Sequence, residues 1–244
     1  MNKEYLNVVE IYETIDGEIN AFHQGRMTTI IRLAGCNLQC SYCDSLYACQ
    51  SEGIRMSIDD VLLELEKIGN KSITITGGEP LLQGEALLDL FRTMEWKMMS
   101  SLDRYEINIE TNGTIDPLSF RFHDYCDSIT TTMDYKLPSS RIKIDKIDLD
   151  HFHYVSVIKF LIADVFDYTH ALHVKKMLEN NNCKSLFAFS TINFLNEKEK
   201  ERFTKRTNIK EVWSTKQLYE RLRGDKQYEN VILNVQIHKL IGLK

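Results

Sequence analysis

Three cysteines stand within eight residues, in Cys36-Asn37-Leu38-Gln39-Cys40-Ser41-Tyr42-Cys43. They directly follow an apolar, β-branched run, Thr28 to Leu33, that reads as a strand. Any fold of this chain must therefore end a strand in a loop that turns three thiols toward one point. The pattern C-x3-C-x2-C suits a loop wrapped around one ion or one cluster. Structural zinc normally takes four protein ligands, and a ferredoxin 4Fe-4S centre takes four cysteines. Three local thiols leave one iron of a four-iron cluster open to the amino and carboxylate groups of a small molecule. The other reading is a closed zinc site whose fourth ligand is Cys49, Cys126, Cys183 or a histidine. Cys49 is the nearest candidate, whereas Cys126 and Cys183 sit in or beside apolar segments, as ordinary buried thiols do.

Composition narrows the setting of that loop. The N-terminal Met1-Asn2-Lys3-Glu4-Tyr5 lacks the apolar run of a signal peptide, and no stretch approaches the ~18 apolar residues of a membrane helix. A cytoplasmic protein is expected, and in that reducing setting six cysteines are not a disulfide framework. A net charge of -5 argues against a general nucleic-acid binder, which shows a basic excess. A small-molecule substrate fits better. Further strands are predicted at Tyr5 to Ile15, Ser72 to Thr76, Tyr105 to Ile109, Ser128 to Met133, Val155 to Ile162, Ser185 to Phe189 and Val231 to Val235. Between them, helices are predicted at Leu87 to Met99, Phe166 to Asn180 and Ser214 to Arg223. Another is opened by the cap Ser57-Ile58-Asp59-Asp60, carries Val61, Leu62, Leu65 and Ile68 on one face, and is closed by Gly69-Asn70. The charged run Asn196 to Lys210 reads as a solvated helix and turn. Strands alternating with helices predict an α/β fold, a partial β/α barrel with mainly parallel strands. With only three prolines and no linker or repeat, residues 1–244 read as one domain.

The cysteine loop, with Thr76-Gly77-Gly78-Glu79-Pro80 after the next strand, resembles the radical S-adenosylmethionine (SAM) superfamily. The resemblance implies a 4Fe-4S cluster on Cys36, Cys40 and Cys43, with SAM at the open iron. Glycines there let backbone come close to the methionine end of SAM, and Glu79 can bind its ammonium. Tyr42 matches an aromatic position beside the adenine, and Asp44, Gly77, Gly78 and Lys136 complete the implied SAM contacts. Lys136 lies in Asp134-Tyr135-Lys136, where relatives often carry Ser-Pro-Lys.

Flanking segments are similar to the 7-carboxy-7-deazaguanine synthase family: Glu13-Thr14-Ile15-Asp16-Gly17-Glu18, Ile31-Arg32-Leu33-Ala34-Gly35-Cys36, Cys43-Asp44-Ser45, Ile109-Glu110-Thr111-Asn112-Gly113-Thr114 and Gln236-Ile237-His238-Lys239. What the resemblance implies is conversion of 6-carboxy-5,6,7,8-tetrahydropterin to 7-carboxy-7-deazaguanine with loss of ammonia, on the route to queuosine and other 7-deazapurines. It further implies magnesium (Mg2+) on Ser45, substrate contacts from Ile15, Asp16, Gly17, Glu18, Arg32 and Thr76, a flavodoxin or ferredoxin as electron donor, and a homodimer. Asp16 stands where the family usually has glutamine. The family's terminal carboxylate contact is not carried over to a chain ending Gly242-Leu243-Lys244, and His238 beside Leu240 and Ile241 reads as structural. Two rivals remain. A glycyl-radical activating enzyme shares the cysteine pattern but does not explain Glu18, Arg32 and Ser45 together, and a zinc or electron-transfer protein needs a fourth ligand and no SAM site.

Overall fold

Polar and apolar residues alternate along Ser72-Ile73-Thr74-Ile75-Thr76, Ile107-Asn108-Ile109-Glu110 and Thr132-Met133-Asp134-Tyr135, so each segment, once extended, has two chemically different faces. The computed structural model of the protein describes residues 5–22, 24–98, 104–122, 128–143, 148–152, 155–227 and 229–243. Met1 to Glu4, Met99, Cys126 and Lys244 lie outside the described residues. Within them the strands are β1 (Tyr5–Ile15), β2 (Met27–Leu33), β3 (Ile54–Ser57), β4 (Ser72–Gly77), β5 (Glu106–Thr111), β6 (Ile129–Tyr135), β7 (Val157–Ile162), β8 (Leu186–Thr191) and β9 (Val231–Leu233). The helices are α1 (Leu46–Gln50), α2 (Ile58–Ile68), α3 (Gly84–Met98), α4 (Val165–Asn180), α5 (Glu197–Thr207), α6 (Thr215–Gly224) and α7 (Ile237–Leu240). Among the described residues no helix is long and apolar enough to cross a membrane.

The nine strands form one open sheet in the order β3-β1-β2-β4-β5-β6-β7-β8-β9. From β2 to β9 every neighbouring pair is parallel. The expected parallel alternation fails only at the start, where β1 pairs antiparallel with both β2 and β3. The physical reason is that the described residues between Asp16 and Arg26 form no helix to carry the chain back for a parallel crossover. Instead Asp16 N donates to Arg26 O at 2.8 Å and Gly25 N to Asp16 O at 2.7 Å, which closes a return. β3 was not anticipated. It is four residues long with Ile54 exposed, a short edge strand without the pattern of a buried one.

The apolar face of the sheet is covered by helices. Ile31, Leu33, Ile73, Ile75, Ile107 and Ile109 pack with Val61, Leu62 and Leu65 of α2 and Leu87, Leu90 and Phe91 of α3. The α2 prediction holds in detail: Ser57 accepts from Asp60 N in a reciprocal capping box, and Gly69 closes the helix at φ 78°. Each buried leucine of that face is worth roughly 2–5 kcal/mol against alanine. A second cluster joins Met133, Ile158, Phe160, Phe187 and Phe189 to Tyr168, Val174 and Leu178 of α4 and to Leu218 and Leu222 of α6.

The opposite face is polar and turned inward. Strand neighbours lie about 4.8 Å apart, so in a flat sheet the seven steps from β1 to β9 would separate those strands by roughly 34 Å. Yet Ile237 N donates to Gly17 O at 2.8 Å, Ile19 N to Asn234 Oδ1 at 2.9 Å, and Gln24 Nε2 to Val235 O at 2.6 Å. The segments after β1 and β9 therefore meet, and the sheet curls into the unclosed barrel that was expected. Polar members of the strands fill its interior. At the base, Thr74 Oγ1 donates to Asp16 Oδ1 at 2.6 Å beside Thr28 and Ser72.

Candidate active site

The cysteine loop leaves β2 at Leu33 and is anchored from three sides. Fully buried Ser41 donates from its N to Ser140 O at 2.9 Å and from its Oγ to Ser139 O at 2.5 Å, fixing the middle of the loop to the turn after β6. Glu79 N donates to Gly35 O at 2.8 Å and Gly78 N to Leu33 O at 3.0 Å. A Cβ on Gly78 would lie 1.8 Å from Gly35 O, and one on Gly77 would lie 2.1 Å from Leu33 O. These glycines are thus required by the close approach of two loops of the protein itself. On the third side Asn112 Nδ2 reaches Cys36 Sγ at 3.8 Å and Asn37 Oδ1 at 2.9 Å, while Leu38 N donates to Cys36 Sγ at 3.4 Å. Sulfur that accepts N–H groups in this way is set up to carry thiolate charge. The following helix α1 brings Cys49 Sγ to 3.7 Å from Cys43 Sγ, so the fourth thiol considered for zinc does stand beside one of the loop cysteines. Even so, among the described residues no three His, Cys, Asp or Glu side chains form a set that could hold one metal ion.

The thiols form one wall of a cavity of about 230 Å³ at the C-terminal ends of the parallel strands, the place where α/β folds bind ligands. Its floor is charged. Arg32 pairs in register with Thr76 of β4, donates from Nε to Glu10 Oε1 at 2.8 Å and from Nη2 to Tyr12 Oη at 2.9 Å. Burial works against its charge, but Tyr12, Tyr47 and Glu10 outweigh it, and the guanidinium is held more firmly protonated than usual. Thr76 Oγ1 donates to Glu110 Oε2 at 2.9 Å. Burial pushes the Glu110 carboxyl up to about 7, with Lys159 opposing and Glu18 adding to the rise.

A chain of alternating charges crosses the floor. Gln236 and Lys159 each donate to Glu18; Lys159 also lies 3.0 Å from Asp134 Oδ1, its register partner, and Lys136 Nζ lies 2.9 Å from Asp134 Oδ2. Burial disfavours the charge on both lysines, but the carboxylates around them raise both above the ordinary lysine value. At the rim Lys239 Nζ donates to Asp44 Oδ2 at 2.7 Å and Ser45 Oγ to Asp44 Oδ1 at 3.0 Å. Burial opposes ionisation of Asp44, yet Lys239 and Ser45 hold it below the usual carboxylate range.

Of the residues singled out from the sequence, Ile15, Asp16, Gly17, Glu18, Arg32, Cys36, Cys40, Tyr42, Cys43, Asp44, Ser45, Thr76, Gly77, Gly78 and Lys136 all line this one cavity. Glu79 does not. It is fully buried, with Oε1 accepting from Leu81 N at 2.9 Å and Thr111 Oγ1 at 2.7 Å, and Oε2 from Asn112 N at 2.7 Å. Its carboxylate ties its own turn to the end of β5 at Thr111 and Asn112 and is absent from the cavity lining, which puts Glu79 in a bracing role where a side-chain contact with SAM was expected. The backbone of Asp16 is likewise engaged by Gly25 and Arg26, and Gly17 O by Ile237 N. Gly17 is a glycine because of His238, whose Nδ1 would stand 1.6 Å from any Cβ there. Glu110, Asp134, Lys159, Asn112, Gln236 and Lys239 also line the cavity and were not foreseen as site residues. Their signal was available: all of the first three are polar, in strands, and in phase with inward-facing neighbours.

Residues 30–135, from β2 through β6 and including the whole cysteine loop, match the model of the radical SAM superfamily. Fold, loop and match define the chain as a radical SAM enzyme. It is 33% identical to a 7-carboxy-7-deazaguanine synthase of Clostridium acetobutylicum, over 68% of this chain and 73% of that protein. Another 7-carboxy-7-deazaguanine synthase, of Koribacter versatilis, is 32% identical over 75% of this chain and 77% of its own. The chain belongs to the 7-carboxy-7-deazaguanine synthase family. The crystal structure of QueE from Escherichia coli has the same fold, with a TM-score of 0.60 at 19% identity over 96% of this chain and 94% of that one. None of these relatives is a glycyl-radical activating enzyme.

Proposed function

We propose that this enzyme converts 6-carboxy-5,6,7,8-tetrahydropterin to 7-carboxy-7-deazaguanine with release of ammonia. The observation that carries the reading is that the thiols of Cys36, Cys40 and Cys43 and the charged floor of Arg32, Thr76, Glu110 and Glu18 line one cavity. Three soft sulfurs on one wall, one of them accepting N–H groups, suit a 4Fe-4S cluster. Gly77, Gly78, Tyr42, Asp44 and Lys136 line the same cavity and are the residues that would hold SAM. Held there, a reduced cluster with SAM would supply the radical chemistry that starts turnover of the substrate.

The chain's own residues bind, orient and shield. Arg32 engages Glu10 and Tyr12 through two of its donors, and a guanidinium has five, so a carboxylate of the pterin can take its remaining edge. Glu110, with its carboxyl near 7, can present either an acceptor or a donor to the pterin edge. Held in this way, the substrate's C6 hydrogen faces the thiol wall, and proximity with exclusion of water is the protein's main contribution. The Ser45 hydroxyl at the rim is a hard oxygen and the proposed magnesium ligand. A single domain, a homodimer in the cytoplasm, and a flavodoxin or ferredoxin as electron source complete the proposal.

Anaerobic incubation of the reconstituted protein with SAM, dithionite, magnesium and 6-carboxytetrahydropterin should yield 7-carboxy-7-deazaguanine by mass. SAM cleavage without that product would leave the radical SAM assignment standing and remove the pterin.

A further inference from the structure

The helix α5 was expected to be a solvated run of charge, and most of it is. Its inner face is not: Phe203 and Thr207 are buried, and Phe203 packs in a small cluster with Ala163, Ile192 and Tyr42, the residue between the last two loop cysteines. Two arginines flank that face. Arg202 donates from Nη2 to Cys43 O, and Arg206 donates from Nη2 to Gln39 O at 2.7 Å and from Nη1 to Cys40 O at 3.2 Å. One helix, about 160 residues further along the chain, thus takes three backbone carbonyls of the C-x3-C-x2-C loop. Arg202 also keeps a buried Nε that has no hydrogen-bond partner among the described residues. A buried donor left unpaired is costly, and this one belongs to the same guanidinium that holds Cys43.

We infer that Arg202 and Arg206 are positioning residues for the cluster, an inference that rests on the reading of Cys36, Cys40 and Cys43 as its ligands. A peptide's C=O and N–H point opposite ways. Drawing the carbonyls of Gln39, Cys40 and Cys43 toward α5 therefore keeps their negative ends off the sulfurs. The N–H opposite the Cys40 carbonyl, Ser41 N, is itself tied to Ser140 O, and a different peptide supplies the N–H that meets a sulfur, Leu38 N toward Cys36 Sγ. The arginines also place fixed positive charge behind the loop. Net charge and hydrogen bonding near the sulfurs set the potential of an iron–sulfur centre, and positive charge favours the reduced form. Arg206 is exposed and screened, whereas Arg202 is half-buried, so Arg202 governs the potential and the fork of Arg206 governs the loop's grip.

The test uses the full-length protein reconstituted anaerobically with iron and sulfide, comparing the parent with Arg202→Gln, Arg206→Gln and Arg206→Lys. Midpoint potential is read by redox titration with electron paramagnetic resonance, and cluster retention by the rate of iron transfer to a chelator. Arg202→Gln should titrate at a more negative potential. Arg206→Lys keeps the charge but not the two-pronged contact, so its potential should stay while iron is lost about tenfold faster or more, the size expected for one charge-assisted hydrogen bond. If Arg202→Gln fails to hold a cluster at all, the surface substitution Arg206→Lys carries the test alone. Unchanged potential in Arg202→Gln together with unchanged iron loss in both Arg206 variants overturns the inference. A parent that binds no iron, or a Cys36→Ala variant that keeps all of it, overturns the cluster reading itself.

Discussion

Glu79→Gln removes one charge from a fully buried carboxylate that accepts from Leu81 N, Thr111 Oγ1 and Asn112 N. Glutamine keeps one accepting oxygen, and its amide must then point an N–H at another N–H, either that of Asn112 or that of Leu81. Beside the neutral acid, whose hydroxyl oxygen still accepts, the orphaned donor should cost about 1–3 kcal/mol, and for a chain of this size each kcal/mol lowers Tm by about 2–4 °C. The sign of the pH dependence follows from the carboxyl. Burial pushes it from 4.5 to about 7, the three hydrogen bonds opposing only in part. A carboxyl raised on folding adds no penalty below its ordinary pKa, and the penalty grows as pH rises from about 4.5 to 7. Two and a half pH units correspond to a penalty on the order of 3 kcal/mol. Glutamine does not titrate, so the parent's advantage over Glu79→Gln should be widest near pH 5 and shrink by pH 8. Thermal unfolding of the metal-free proteins under reductant at both pH values measures it. Equal Tm values throughout, or a gap that widens with pH, would refute the bracing role.

Arg32→Ala should weaken 6-carboxytetrahydropterin binding about ten- to a hundredfold, and lysine should restore little because it lacks the planar fork; SAM affinity should stay near the parent's, and equal pterin affinity would remove Arg32 from the substrate site. Replacing Cys36, Cys40 or Cys43 by alanine should abolish the four-iron cluster, while Cys49→Ala should keep it despite the 3.7 Å approach to Cys43; iron and sulfide analysis separates the two outcomes. Ser45→Ala should blunt the dependence of turnover on magnesium without lowering iron content, and an unaltered magnesium response would count against Ser45 as its ligand.

Local signals explain what was legible beforehand. The α2 cap and its Gly69 stop, the alternation in β4 and β5, and the cysteine spacing are all written within a few residues, and each appears in the structure where expected. The antiparallel β1 was hidden because strand direction depends on the connection: Asp16-Gly17 is a turn signal, but the chain runs on to Arg26 before β2 begins, far longer than a tight hairpin loop. The bracing role of Glu79 was hidden for a different reason. A glutamate in a glycine-rich turn looks available to a ligand, and only the arrival of Thr111 and Asn112 from β5 shows that its oxygens are already engaged. Lys159 and Asp134 went unnoticed because a single charge in a strand has no motif around it; their meaning lies in the β6–β7 register that sets them side by side. The arginines of α5 sit in a highly charged run, where nothing local distinguishes a residue aimed at Cys43 from its solvated neighbours.

A pterin bound on the Arg32 floor has its C6 hydrogen turned to the thiol wall, and 6-carboxytetrahydropterin deuterated at C6 reports that placement through mass analysis of the 5'-deoxyadenosine and the recovered SAM. Deuterium should appear in one or both of these, together with 7-carboxy-7-deazaguanine. Active SAM cleavage with all of the deuterium still at C6 of unconverted pterin would contradict it.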